Sequence, residues 1–131
     1  MHLSDELAKQ RVREWVEDFD IDTFFKIYVK VNNAPDPSLK KRWRKCQAFI
    51  KVDGSYGGVS LVLNAYNFEK EELDEVIAHE LGHVLLDDID DLLSQLLGPK
   101  LKEYVTKVIE RTNERFARTL SRARNRRTKG K

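Results

Sequence analysis

Apolar positions along the chain follow a helical period, then an alternating one, then a helical one again. Leu7, Val12, Trp15, Val16 and Phe19 share one helical face. Ser4 stands ahead of them as a cap, and Asp5 and Glu6 suit the exposed N–H groups of a first turn. The spacing predicts a helix over about Ser4 to Asp18. Phe24 to Val31 is β-branched, aromatic and partly alternating, which predicts a strand. Asn32 to Ser38 is turn chemistry. Lys40 to Lys45 is basic with one aromatic and is expected in or beside a strand. Ala48 to Val52 and Val59 to Asn64 read as two further strands, joined as a hairpin by Asp53 to Gly58.

From Asn67 the period is helical again. Asn67 serves as an N-cap, with Glu69, Glu71 and Glu72 in the first turns, and the helix is expected to reach about Asp87. Asp88 or Asp90 then caps a short helix from Asp91 to Leu97, which Gly98 and Pro99 end. A last helix starts near Pro99, with an apolar stripe of Leu101, Val105, Val108, Ile109, Phe116 and Leu120. This order predicts an α+β fold: a small three-stranded antiparallel sheet, an N-terminal helix, and a C-terminal helical part.

A chain of 131 residues has room for one domain and one modest core. We assign that domain to residues 1–120 and expect 121–131 to be a disordered basic tail. Residues 111–131 hold nine Lys/Arg against one acid, Glu114, although the whole chain carries only +2. The body is therefore net acidic. The tail reads first as a solvated helix end; its functional reading is a contact with nucleic acid or an acidic partner. No aromatic follows Phe116 to stack on bases. No apolar run approaches the ~20 residues that span a bilayer, and Met1 to Glu6 has neither the basic start nor the apolar stretch of a secretory signal. Cys46 is the only cysteine, so no internal disulfide forms. A cytoplasmic protein is expected.

The chemistry is concentrated at His79-Glu80-Leu81-Gly82-His83, which fits H-E-x-x-H. Residues four apart stack on one helical face, so His79 and His83 can reach one ion. Neutral imidazole is a good zinc ligand. Glu80, beside His79, is placed to act as general base toward water that the metal acidifies, and then to protonate the leaving amine of a peptide. On the helical wheel Leu73, Ile77, Leu81, Val84 and Leu85 cluster, while His79, Glu80 and His83 fall on the adjoining face with Val76 and Asp87. The helix can thus be anchored in a core and still present the histidines to a cleft. Gly82 lies on a third side, where glycine costs up to ~1 kcal/mol relative to alanine. It fits if another backbone packs closely there, and the sheet is the candidate.

A catalytic zinc needs a third protein ligand. The remaining histidine, His2, is at the far end of the chain in a segment expected to fray. Asp87 lies one further turn along, but ligands at i, i+4 and i+8 span about 12 Å on a straight helix, too far for one ion. Asp87 suits a role in orienting His83, or that of a solvated helix end. Glu103, Glu110 and Glu114 share one side of the last helix, and the wheel does not choose among them.

Three stretches give the chain a family likeness. They are the strand Val59 to Asn64, the run Ile77-Ala78-His79-Glu80-Leu81-Gly82-His83-Val84-Leu85-Leu86, and the segment Val108 to Ala117. Together they resemble the ImmA/IrrE family of metallopeptidases of phages, mobile elements and bacterial genomes, whose later segment reads E-x-x-A-N-x-F-A. The resemblance implies one zinc ion on His79, His83 and Glu110, with Glu80 catalytic. Asn113-Glu114 is also similar to the N-E of thermolysin-type enzymes, which implies Glu114 instead. The chain differs from the family pattern at Asp87, where a further histidine is frequent, at Asn113, where alanine is usual, and in lacking the L-L-M-P close.

The expected function is zinc-dependent hydrolysis of a peptide bond in an intracellular protein partner. The strand Val59 to Asn64 is the candidate edge for an extended substrate, and Tyr56, Tyr66 and Tyr104 are candidate oxyanion donors. Two rivals stand beside it: a nucleic-acid-associated phage regulator using the basic tail, with a structural or vestigial metal site, and a non-catalytic phage interaction protein. A His/His/carboxylate set also suits manganese or iron.

Overall fold

A computed structural model describes residues 1–21, 25–53 and 58–129. Helix α1 (Asp5–Phe19) begins where Ser4 accepts a hydrogen bond from the Leu7 amide. Strand β1 (Lys26–Asn32), a short helix α2 (Lys41–Lys45) and the strands β2 (Ala48–Asp53) and β3 (Gly58–Asn64) follow. Two 3-10 turns, Ala65–Asn67 and Lys70–Glu72, lead into α3 (Leu73–Leu96), and α4 (Pro99–Lys129) closes the chain. The fold is α+β.

The sheet differs from the expected antiparallel one. Its order is β1-β3-β2; β2 and β3 pair antiparallel as a hairpin, but β1 pairs parallel to β3. The connection over residues 33–47, with α2 inside it, is long enough to carry the chain past β3, so β1 lies on the far side. The reason is burial. Val59, Leu61, Val62 and Leu63 of β3 are all buried, and so continuous an apolar run is most stable in the centre of a sheet. The expectation of β3 as an edge strand is thereby corrected: it has a neighbour on each side, and β2 is the strand at the edge near α3.

Residues 40–45, expected in or beside a strand, form α2 instead. Asn64 donates to the carbonyls of Trp43 and Cys46, and Asn67 to those of Arg44 and Cys46. The Tyr66 hydroxyl donates to the Arg44 carbonyl at 2.7 Å. These side chains satisfy carbonyls that a short helix leaves unpaired at its end. Asn67 is thus occupied here rather than capping α3. Glu69 instead caps the 3-10 turn Lys70–Glu72 that leads into α3, in a reciprocal pair with Glu72.

Helix α3 is also longer than expected. The short helix placed over Asp91 to Leu97 is part of it as far as Leu96, without a break at Asp88 or Asp90. Its first half supplies the core: Leu73, Val76, Ile77, Ala78, Leu81 and Val84 pack with Val12 and Trp15 of α1 and Leu61 and Leu63 of β3. Asp74 fastens it to α1, accepting from the buried Trp15 indole at 2.9 Å and from Arg11 at 3.3 Å. The N-terminal segment does not fray: Leu3 is buried and exchanges hydrogen bonds with the Asn33 side chain.

Helix α4 packs on a face that overlaps its apolar stripe only in part: Leu120 packs against the core and Val105 and Ile109 are half-buried. Leu101, Val108 and Phe116 are exposed, whereas Asn113, Ala117 and Ser121 are buried. Small side chains permit the close approach to α3 that longer ones would prevent. The helix continues to Lys129, through the stretch expected as a disordered tail. Arg124 in that stretch pairs with Glu14 and Asp18 of α1.

Candidate metal centre

Three ligand atoms from two helices meet at one point. His79 and His83 project one turn apart from α3, which the apolar residues on its other side hold in the core. Glu110 comes across from α4. His79 Nε2 lies 3.2 Å from His83 Nε2, and Glu110 Oε1 lies 3.1 Å from the first and 3.2 Å from the second. His79, His83 and Glu110 are thus a group that could hold a metal ion.

The hydrogen bonds that can be drawn in this triangle depend on the imidazole tautomers. Each neutral imidazole can carry at most one hydrogen on Nε2. If both carry it, both can donate to Glu110, and the two nitrogens then face each other as donors. If one carries it, that hydrogen cannot point along two sides of the triangle at once. A cation suits all three lone pairs together. The sides also match the edge of a tetrahedron built on zinc bonds of ~2.0–2.1 Å, which is about 3.3 Å. The donor set fits such an ion in chemistry and in spacing.

The electrostatics agree with that fit. Burial pushes the His79 pKa down, and the neighbouring His83 lowers it further; Glu110 and Glu114 pull the other way and are outweighed. The ring is therefore neutral at pH 7, as a ligand must be. Glu80 is pushed up to about 8, first by burial and then by the charge of Glu110. A carboxyl with its pKa near neutrality can both take and give a proton. Burial, followed by the charge of Glu80, holds the Cys46 thiol above its ordinary pKa, so it stays protonated.

A cleft of about 280 Å³ opens beside these residues. His79, Glu80, Val76, Glu75 and Glu72 line it from α3 and the preceding turn, Glu114 from α4, and Cys46, Gln47 and Ala48 from the entry to β2. Glu114, the other candidate ligand, faces this cleft and pairs with Arg118 at 3.4 Å rather than joining the triangle. Glu103 pairs with Lys107 on the exposed face of α4. His2 is exposed and apart from the group. The side chain of Asp87 lies outside the described residues, as does Tyr56. Tyr66 has committed its hydroxyl to Arg44, Tyr104 is exposed, and neither lines the cleft.

Two contacts were not anticipated. The space beside Gly82 is taken by the Asn113 side chain of α4, not by the sheet. Asn113 also donates to the His79 carbonyl at 2.9 Å. A glycine tolerated inside a helix was the available signal, but nothing in the sequence named its neighbour. The cleft wall at Cys46 to Ala48 depends on Asn64 and Asn67, whose role needed the fold to be visible. No family model, curated protein or solved structure matches this chain.

Proposed function

We propose that this protein is a zinc-dependent peptidase acting on an extended segment of a protein partner. The observation that carries the reading is the triangle of His79, His83 and Glu110 with the Glu80 carboxyl beside it. The motif's resemblance to ImmA/IrrE metallopeptidases supports it. His79, His83 and Glu110 would hold the ion. Bound zinc would supply Lewis acidity, polarising a carbonyl and making water acidic enough to react at neutral pH.

The chain's own groups do the rest. Glu80 takes the proton from the attacking water and returns it to the departing amine, so the carboxyl ends as it began. Its raised pKa favours the first transfer, the uptake of a proton, and the positive charge of an ion would lower that pKa and favour the second. The substrate lies along β2. Asn64 N–H donates to the Gln47 carbonyl at 2.9 Å, so Gln47 faces β3. Alternation then turns the N–H and C=O of Ala48 and Ile50 to the open edge. An extended peptide added there would run past His79 and Glu80, since Ala48 shares their cleft.

The test is elemental analysis of purified protein, followed by cleavage of an unstructured protein such as casein. Wild type should hold about one zinc and lose both metal and activity on chelation. His79→Ala and Glu110→Gln should not retain the ion. Glu80→Gln should retain it, with cleavage reduced by roughly 10²–10⁴-fold. A folded wild type that takes up no zinc when supplied with it would end this reading. The rival role in nucleic-acid binding would then be tested by salt-dependent DNA binding. Its support is the basic end of α4, although Arg124 there is engaged with Glu14 and Asp18.

A further inference from the structure

Asn113 occupies an unusual place for a polar residue. It lies mid-helix in α4, is 3% exposed, and packs against the one glycine within the H-E-x-x-H turn. A methyl group on Gly82 would stand 1.9 Å from its Oδ1 and 2.7 Å from its Cγ. Its Nδ2 donates to the His79 carbonyl at 2.9 Å. That carbonyl, in a regular helix, also accepts the His83 N–H, because the two residues are four apart. One oxygen therefore joins the backbones of both histidines to the Asn113 amide.

Asn113 is also one turn beyond Glu110, on the same face of α4. The contact thus ties the helix bearing the carboxylate to the peptide group that links the two imidazoles. The alternative register is specific. Sliding α4 by one turn, ~5.4 Å, would carry Glu114 toward the position of Glu110 and Ala117 toward that of Asn113. Both replacements are chemically plausible, since a carboxylate still meets the histidines and a small residue still meets Gly82. Shape alone leaves the two registers close. The amide does not, because only Asn113 can donate to the His79 carbonyl.

We infer that Asn113, seated on Gly82, is the positioning residue that fixes the register of α4 on α3 and so selects Glu110 over Glu114 as the third ligand. This rests on the metal-site reading above. Asn113 acts through the backbone and touches neither ion nor substrate.

The experiment measures zinc affinity by competition with a chromogenic chelator, together with unfolding of the metal-free protein. It compares wild type, Asn113→Ala and the double variant Gly82→Ala/Asn113→Ala, in which two methyl groups replace the amide. Wild type should lose zinc binding with Glu110→Gln and keep it with Glu114→Gln. Asn113→Ala should fold and bind zinc at least about tenfold more weakly, in the range typical of groups that orient ligands. The double variant, repacked but without the donor, should fold and stay equally weakened. Wild-type affinity in a folded Asn113→Ala, or recovery in the double variant, overturns the inference, because packing would then suffice. Unfolding of both overturns it too, making Asn113 a fold determinant rather than a register selector. Failure of wild type to bind zinc at all would instead fall on the metal-site reading.

Discussion

Replacing Gly82 by alanine sets a general rule against a particular contact. In a helix interior the change ordinarily stabilises by up to ~1 kcal/mol, because alanine restricts the unfolded chain. Here the new methyl would lie 1.9 Å from Asn113 Oδ1, where contacts shorter than 3.0 Å essentially never occur. Something must therefore move by more than 1 Å. Asn113 is buried between the helices, so it cannot turn into solvent without breaking its bond to His79. Leaving that amide buried without a partner costs about 1–3 kcal/mol. If α4 retreats instead, the packing of Ala117 and Ser121 is lost, at a similar ~1–3 kcal/mol for an overfilled site. Either route outweighs the helical gain, and we expect Gly82→Ala to destabilise the metal-free protein by about 2 kcal/mol. Asn113→Ala should cost under ~1 kcal/mol, since the His79 carbonyl keeps its helical partner. In that background Gly82→Ala should become stabilising, which puts the coupling between the two sites near 3 kcal/mol, at the upper end of known pairs. Urea unfolding followed by circular dichroism, with chelator present, gives all four corners of the cycle. A Gly82→Ala protein as stable as wild type would mean that α4 does not sit where the geometry puts it.

Three further outcomes follow from the same structure. Glu80 binds its proton more tightly folded than unfolded, so in metal-free protein its contribution is lost as pH rises from about 4.5 through about 8. Glu80→Gln has no such proton to lose; it should therefore gain stability relative to wild type at pH 8 but not at pH 4, by a few kcal/mol at most, and an equal effect at both pH values would count against a buried carboxyl. Asp74→Ala should cost about 2–3 kcal/mol in urea unfolding, because the buried Trp15 indole then has no acceptor; a loss below ~0.5 kcal/mol would contradict that hydrogen bond. Zinc at a hundred times its dissociation constant should raise stability by about 2.7 kcal/mol in wild type and Glu114→Gln, but not in Glu110→Gln, as a thermal-shift titration would register.

What the chain reveals in one dimension is uneven, and the unevenness has physical causes. Helix α1, the strands and the packed face of α3 were legible because each depends on the period of its own apolar residues. The parallel pairing of β1 was not, since strand order depends on which strand is most completely buried, a comparison among segments rather than within one. The course of α4 shows the same limit more sharply. Its apolar stripe marked only one flank of the packing face, where Leu120 reaches the core, because close helix contact selects small side chains, and Asn113, Ala117 and Ser121 look unremarkable in a hydrophobic pattern. The spacing of His79 and His83 was local and therefore readable. The choice of Glu110 came only from the family resemblance, because Glu110 and Glu114 are equivalent to any wheel and differ only in the register between two helices. That register is set where Gly82 meets Asn113, two residues whose sequence signals, a glycine and an asparagine inside helices, are each slightly unfavourable alone. Each is explained by the other. Two local penalties that cancel at one contact mark a position where tertiary structure, rather than helix formation, dictates the residue, and here that contact lies one turn from the proposed ligand.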